Sequence, residues 1–204
     1  MKKWLLAVLA VFSFCSLSFA EGWGIAIKSG IGQNNPKTAE TLWDYYGGTL
    51  TTAPGIFAIE GFYEYEVPPE EGDLLEDVNT FGIGLGYNAY GENELEDSFL
   101  NGKEETYAIP ITFYLKVDKG IKGLSSYFGA GITSITTKVS LGTDTYKKSV
   151  FFPHLSCGFE YKFSKVFAIG LEVKYNIHAE VVKDNITMSD RSGIQGLGVA
   201  KFYF

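Results

Sequence analysis

Phe151-Phe152-Pro153-His154-Leu155-Ser156-Cys157-Gly158-Phe159-Glu160-Tyr161-Lys162-Phe163 decides the fold. Phe151, Pro153, Leu155, Cys157, Phe159 and Tyr161 alternate with Phe152, His154, Ser156, Gly158, Glu160 and Lys162. A period of two with one apolar row is the pattern of a strand whose faces meet different surroundings. The next run repeats it: Phe167, Ile169, Leu171, Val173, Tyr175 and Ile177 against Ala168, Gly170, Glu172, Lys174, Asn176 and His178. Upstream, Trp23–Gly32, Phe57–Tyr65, Phe81–Asn88 and Tyr107–Val117 alternate the same way, and Leu197–Phe204 closes the series. The run Tyr127–Val139 is less regular, which predicts a bulge near Ser134. No window sustains a period of 3.6, so the chain reads as all-β with eight strands.

Alternation alone does not say where the apolar row points, but the aromatics do. With odd strands running up and even strands down, the lower ends of the apolar rows carry Trp23, Tyr65, Phe81, Tyr161, Phe163, Phe167 and Phe204. The upper ends carry Phe57, Tyr87, Tyr107, Phe151 and Tyr175, and aliphatic residues fill the middle. Two aromatic girdles around an aliphatic band fit a wall that crosses both membrane–water interfaces. A strand tilted by about 40° climbs roughly 2.5 Å per residue, so about ten residues cross an apolar band of about 25 Å. Unpaired backbone groups are too costly in lipid for an open sheet, so the strands must close. The expected fold is an eight-stranded antiparallel up-and-down transmembrane β-barrel. Inward glycines at 24, 30, 32, 82, 84, 86, 158 and 170 would leave room for long lumenal side chains.

The connections alternate short and long, with long polar links centred on 33–52, 91–105, 141–148 and 179–192. The acidic link Val67–Asn79 breaks this rule by being long on the short-turn side. Residues 1–20 read as a signal peptide: Lys2-Lys3, an apolar run, then Ser18-Phe19-Ala20. The barrel domain is therefore expected over 21–204. Loss of Lys2 and Lys3 leaves 15 basic against 24 acidic residues, a net charge of −9, which argues against nucleic acid. Cys157 remains as the single cysteine, so no internal disulfide is expected.

These features, with Phe128-Gly129-Ala130-Gly131-Ile132 and the ending Lys201-Phe202-Tyr203-Phe204, resemble the small outer-membrane β-barrel family of OmpA transmembrane domains, OmpX and OmpW. The resemblance implies integral residence in a bacterial outer membrane, with lipid and lipopolysaccharide as surroundings. It also implies that Phe202 and Phe204 form the signal read by the barrel-assembly machinery. The chain ends at Phe204, so no periplasmic peptidoglycan-binding domain is expected.

The inward rows predict a lumen holding Lys28, Glu60, Glu64, Lys116, His154, Ser156, Glu160, Lys162, Glu172, Lys174, His178 and Lys201. In so narrow a barrel these charges are expected to pair into a plug rather than line an ion path. His154, Ser156 and Glu160 share one face, as a base, nucleophile and acid would. Lipid A deacylases, which are also eight-stranded barrels, carry such a set facing lipid; here it faces the lumen, so no catalytic residue is expected. The acidic links lack calcium-loop spacing, and no cofactor or metal is expected. The role expected is structural or interactive, through a monomer whose outer loops meet an extracellular partner. A narrow channel for ions or small apolar molecules, as in the OmpW-like branch, is the first alternative, and a lipid-modifying enzyme the second.

Overall fold

A computed structural model describes residues 22–32, 49–51, 55–67, 78–96, 101–118, 121–141, 143–183 and 186–204. The signal-peptide reading therefore falls outside the described residues, as does most of the acidic link 67–79. The described residues form twelve strands: β1 (Trp23–Gly32), β2 (Thr49–Thr51), β3 (Gly55–Glu66), β4 (Val78–Tyr90), β5 (Asn93–Glu96), β6 (Asn101–Asp118), β7 (Leu124–Leu141), β8 (Asp144–Ser164), β9 (Phe167–Asn176), β10 (Glu180–Lys183), β11 (Ile186–Asp190) and β12 (Gly193–Tyr203). Eight of them, in the order β6-β4-β3-β1-β12-β9-β8-β7, form an antiparallel sheet that β6–β7 pairing closes. The barrel is the predicted one. No helix among the described residues is long and apolar enough to cross a membrane; the strands are the crossing elements.

Side chains alternate around the wall as the sequence requires. Ile59, Ile83, Leu85, Ile111, Leu155, Leu171 and Val173 are exposed on the outside, and Ala58, Glu60, Glu172 and Lys174 are buried inside. Outward aliphatic side chains that would be a liability in water are stabilised by hydrocarbon. The lower rim is an aromatic belt in contact: Tyr161 with Phe163, Phe163 with Phe167, and Phe167 with Phe202, at centroid distances of 4.8, 6.1 and 5.3 Å. At the upper rim Tyr87 stacks on Tyr107 at 5.9 Å. Trp23, Phe57, Tyr65, Phe81, Phe151, Tyr175 and Phe204 are also exposed on the outer face.

Three sequence expectations change. β7 pairs with β6 and β8 without a register shift, so no bulge lies near Ser134. Its irregularity has another origin. Above the membrane the inside becomes apolar, with Ile135 and Val139 buried, while Ser134 and Lys138 face outward. The polarity inverts although the register does not. The polar stretches 91–105 and 141–148 are mostly strand rather than loop: they contain β5, the start of β6 and the start of β8. A strand that has left the lipid has water on its outer face and loses the apolar signature, so sequence periodicity mistakes it for a link. The third is the link 179–192, which forms the hairpin β10–β11.

Candidate functional site

Inward side chains fill the lumen from the lower rim to the mouth. Phe62 packs edge-on against Tyr203 at 5.2 Å, with Ala26, Ala168 and Val199 around them. Two charged clusters stand at the same heights, since Ala26 lies across from Glu60 and Lys201, and Val199 across from Lys28. In the lower one, Lys201 Nζ lies 3.1 Å from Glu64 and 2.7 Å from Glu160. Lys116 Nζ lies 2.6 Å from Glu64 and also pairs with Glu160. Tyr114 donates its hydroxyl to Glu64 at 2.8 Å, and Tyr203 donates to Glu160 at 3.0 Å. Two lysines and two carboxylates thus form a closed ring, which is how charge is tolerated away from water. In the upper cluster Lys28 Nζ is 3.0 Å from both Glu60 and Glu172, and Tyr127 donates to Glu172.

The strand register makes space for these side chains. Each glutamate of the two clusters faces a glycine on the neighbouring strand: Glu60 across from Gly86, Glu64 from Gly82, Glu160 from Gly170 and Glu172 from Gly158. A Cβ at Gly82 would lie 2.2 Å from the Tyr114 ring, so that glycine is what admits the tyrosine.

His154 is almost fully buried, and both ring nitrogens are engaged: Nε2 with Thr112 at 3.0 Å and Nδ1 with Thr133 at 2.9 Å. Ser156 Oγ has no hydrogen-bond partner among the described residues and points toward Gly129. His154 and Ser156 are therefore neighbours on one strand but not a bonded base–nucleophile pair. Glu160 belongs to the lysine ring below them.

Two predicted lumenal residues lie elsewhere. Lys162 is exposed at the lower rim, with its ammonium 4.3 Å over the Tyr203 ring. His178 lies beyond the end of β9 with a positive φ of 51° and is exposed, because strand alternation stops with the strand. The others, Lys28, Glu60, Glu64, Lys116, His154, Ser156, Glu160, Glu172, Lys174 and Lys201, face the lumen.

The outermost layer was not foreseen. Ile56, Tyr90, Ala108, Ile135, Val139, Phe152 and Leu197 form an apolar cluster inside the mouth, completed by Ala179 and Val181 from the hairpin segment. Arg191, at the hairpin's return, is buried and pairs with buried Glu104 at 3.1 Å, its guanidinium 5.2 Å over the Tyr90 ring. Ala179 accepts a bond from the Arg191 N–H, and the Asn176 amide donates to the Arg191 carbonyl. The hairpin is thereby strapped across the opening. Tyr114 and Tyr203 were legible as inward positions, but a search for charges alone passes over them; Tyr90 lies beyond the regular row that ends at Asn88, and Tyr127 in the irregular run of β7. Glu104 and Arg191 sit in stretches that read as polar links. Outside, the wall carries an apolar groove of about 730 Å³ between Tyr65, Phe81, Phe113 and Phe128, open to the lipid side.

A closed barrel with an apolar outer wall, two aromatic belts and a packed polar interior defines an integral outer-membrane β-barrel. The sequence profile of the outer membrane protein beta-barrel domain matches residues 5–199, and the chain belongs to that family. No curated protein matches the sequence. Among solved structures, Neisserial surface protein A (NspA) is similar, with a TM-score of 0.54 at 11% identity over 92% of this chain and 100% of that one. The N-terminal β-barrel domain of Pseudomonas aeruginosa OprF gives a TM-score of 0.50 at 11% identity, covering 90% of this chain and 98% of the other. At such identity the likeness concerns the fold alone.

Proposed function

We propose that this barrel is closed to solutes and works at its outer surface, in envelope integrity or contact with an extracellular partner. The observation that carries the reading is the blocked lumen: paired charges fill the middle, and an apolar cluster strapped by Arg191 and Glu104 fills the mouth. Its surroundings are outer-membrane lipid and lipopolysaccharide, which the aromatic belts fit, and it functions as a monomer. Phe202 and Phe204, exposed on the outer face of the last strand, supply the contact for the barrel-assembly machinery, and the leader at 1–20 directs export. A non-enzymatic role is supported by the engagement of His154 with two threonines in the lumen.

Conductance across planar bilayers tests the reading. The purified protein, shown to be folded by its faster migration in unboiled gels, is expected to leave the bilayer at baseline. Reproducible single-channel steps would replace this reading with the narrow-channel one.

A further inference from the structure

The groove in the outer wall belongs to the lower half of the barrel. Tyr65 of β3, Phe81 of β4, Phe113 and Leu115 of β6, and Phe128 and Ala130 of β7 line it, around a volume of about 730 Å³. Strand pairing explains the trough. Phe113 lies across from Ala130 and Leu115 across from Phe128, so a single methyl group sits between two exposed aromatic rings. Spaces of about 300–1,000 Å³ suit one small ligand.

Its depth in the membrane follows from the register. Tyr65 and Phe81 belong to the lower aromatic belt, and the turn that joins β6 to β7 hangs directly below the groove. Leu115 stands two residues above Val117, and Phe128 four above Leu124. At roughly 2.5 Å of climb per residue, the groove ends about 5–10 Å above these last paired residues. The headgroup region adds about 5–8 Å to each side of the hydrocarbon, so the turn stands among headgroups. Short turns mark the periplasmic rim, which places the groove in the periplasmic leaflet.

Charge at the rim selects the occupant. Lys122 is exposed in the β6–β7 turn and Lys165 in the neighbouring β8–β9 turn, and the Lys162 N–H donates to the Gly123 carbonyl at 2.7 Å, which holds the two turns together. Neither Lys122 nor Lys165 makes an ion pair among the described residues. A protein segment laid in the groove would leave backbone groups unpaired in hydrocarbon. A second copy, related by an axis along the membrane normal, would bring like-charged turns together. An acyl chain has no polar group to satisfy, and a phosphate below it meets the lysines. We propose that the groove seats an acyl chain of a single anionic glycerophospholipid of the periplasmic leaflet. Lys122 holds its phosphate, and Lys165 adds to the local positive charge. A zwitterionic headgroup brings its own ammonium to the same lysines and binds less well.

Native mass spectrometry of the folded barrel released from detergent micelles tests it. The probes are palmitoyl-oleoyl phosphatidylglycerol and its phosphatidylethanolamine twin, supplied in equal amounts. The monomer should carry one lipid, with phosphatidylglycerol favoured at least about fivefold, the effect of roughly one lysine near a charged surface. Replacing both lysines, Lys122→Gln with Lys165→Gln, should bring the two lipids to within about twofold of each other. Ala130→Phe sets a ring in the trough and should cut the bound lipid about tenfold. Ala130→Leu serves the same purpose if Ala130→Phe fails the gel-migration check for a folded barrel. Leu171→Phe, exposed on the opposite wall, should leave the lipid in place. Absence of a bound lipid, equal binding of the two lipids by the parent, or binding that survives both Ala130 variants overturns the proposal. A lipid-free dimer that Ala130→Phe dissociates also overturns it, since the groove would then be an interface between copies. These substitutions leave the lumen unchanged, so conductance remains the separate test of the closed barrel.

Discussion

Glu160→Gln tests the closed lumen at its centre. The substitution keeps the shape of the side chain and removes one of the two negative charges in the lower ring. Lys116 and Lys201 would then share the single carboxylate of Glu64, leaving one net positive charge among side chains that are at least nine-tenths buried. Breaking a buried pair by removing one partner costs about 3–5 kcal/mol, because the remaining charge is not solvated. With a urea dependence of about 2 kcal/mol per molar, the unfolding midpoint should fall by about 1.5–2.5 M. Adding Lys116→Met restores neutrality and should recover more than half of that loss, since a matched buried pair contributes little net stability. The assay is reversible urea unfolding in detergent or short-chain lipid vesicles, followed by tryptophan fluorescence and by the fraction of fast-migrating protein on unboiled gels. A midpoint for Glu160→Gln within about 0.3 M of the parent would refute the reasoning. It would mean that water screens the ring, and a hydrated lumen is what the proposed function denies.

Gly82→Ala drives a methyl group into the Tyr114 ring and should cost about 1–3 kcal/mol by the same unfolding assay, with partial recovery when Tyr114→Leu is added. Glu104→Gln removes the charge that holds Arg191 and should speed amide exchange at Val181 about tenfold or more while leaving the barrel strands protected, as read by NMR. Glu105 stands two residues above the upper aromatic belt, and hydrogen bonds from Lys103 and then Lys138 hold its carboxyl below the ordinary carboxylate range. Lys103→Gln should raise it in an NMR titration. A fluorophore on Cys157, which is exposed on the outer wall beside Leu155, should be quenched by lipid-soluble agents and not by aqueous ones.

Strand number, closure and the inside–outside assignment were legible because each residue in the membrane faces either hydrocarbon or the lumen, and the two choose opposite side chains. The run Phe151–Phe163 states this so clearly that ten of twelve residues named for the lumen are found there. His178 was misplaced because alternation was carried past the end of β9, whereas Lys162 keeps to the inward row across from Ala168 but stands at the open lower rim. Ser134 was misread because polarity inverts above the membrane while the register does not.

The sequence by itself determined the barrel and the two faces of its wall, since those depend only on period-two contrast and on aromatics at fixed heights. It did not contain the pairing of Lys116 and Lys201 with Glu64 and Glu160, the engagement of His154 by Thr112 and Thr133, or the strap from Arg191 to Glu104. Each joins strands far apart in the chain, and its partners are set by shear and register, which appear only when the sheet closes. The overhang of β8 beyond β9 is likewise a difference in length between two neighbours, 21 residues against 10, and a difference of that kind exists only once the strands stand side by side.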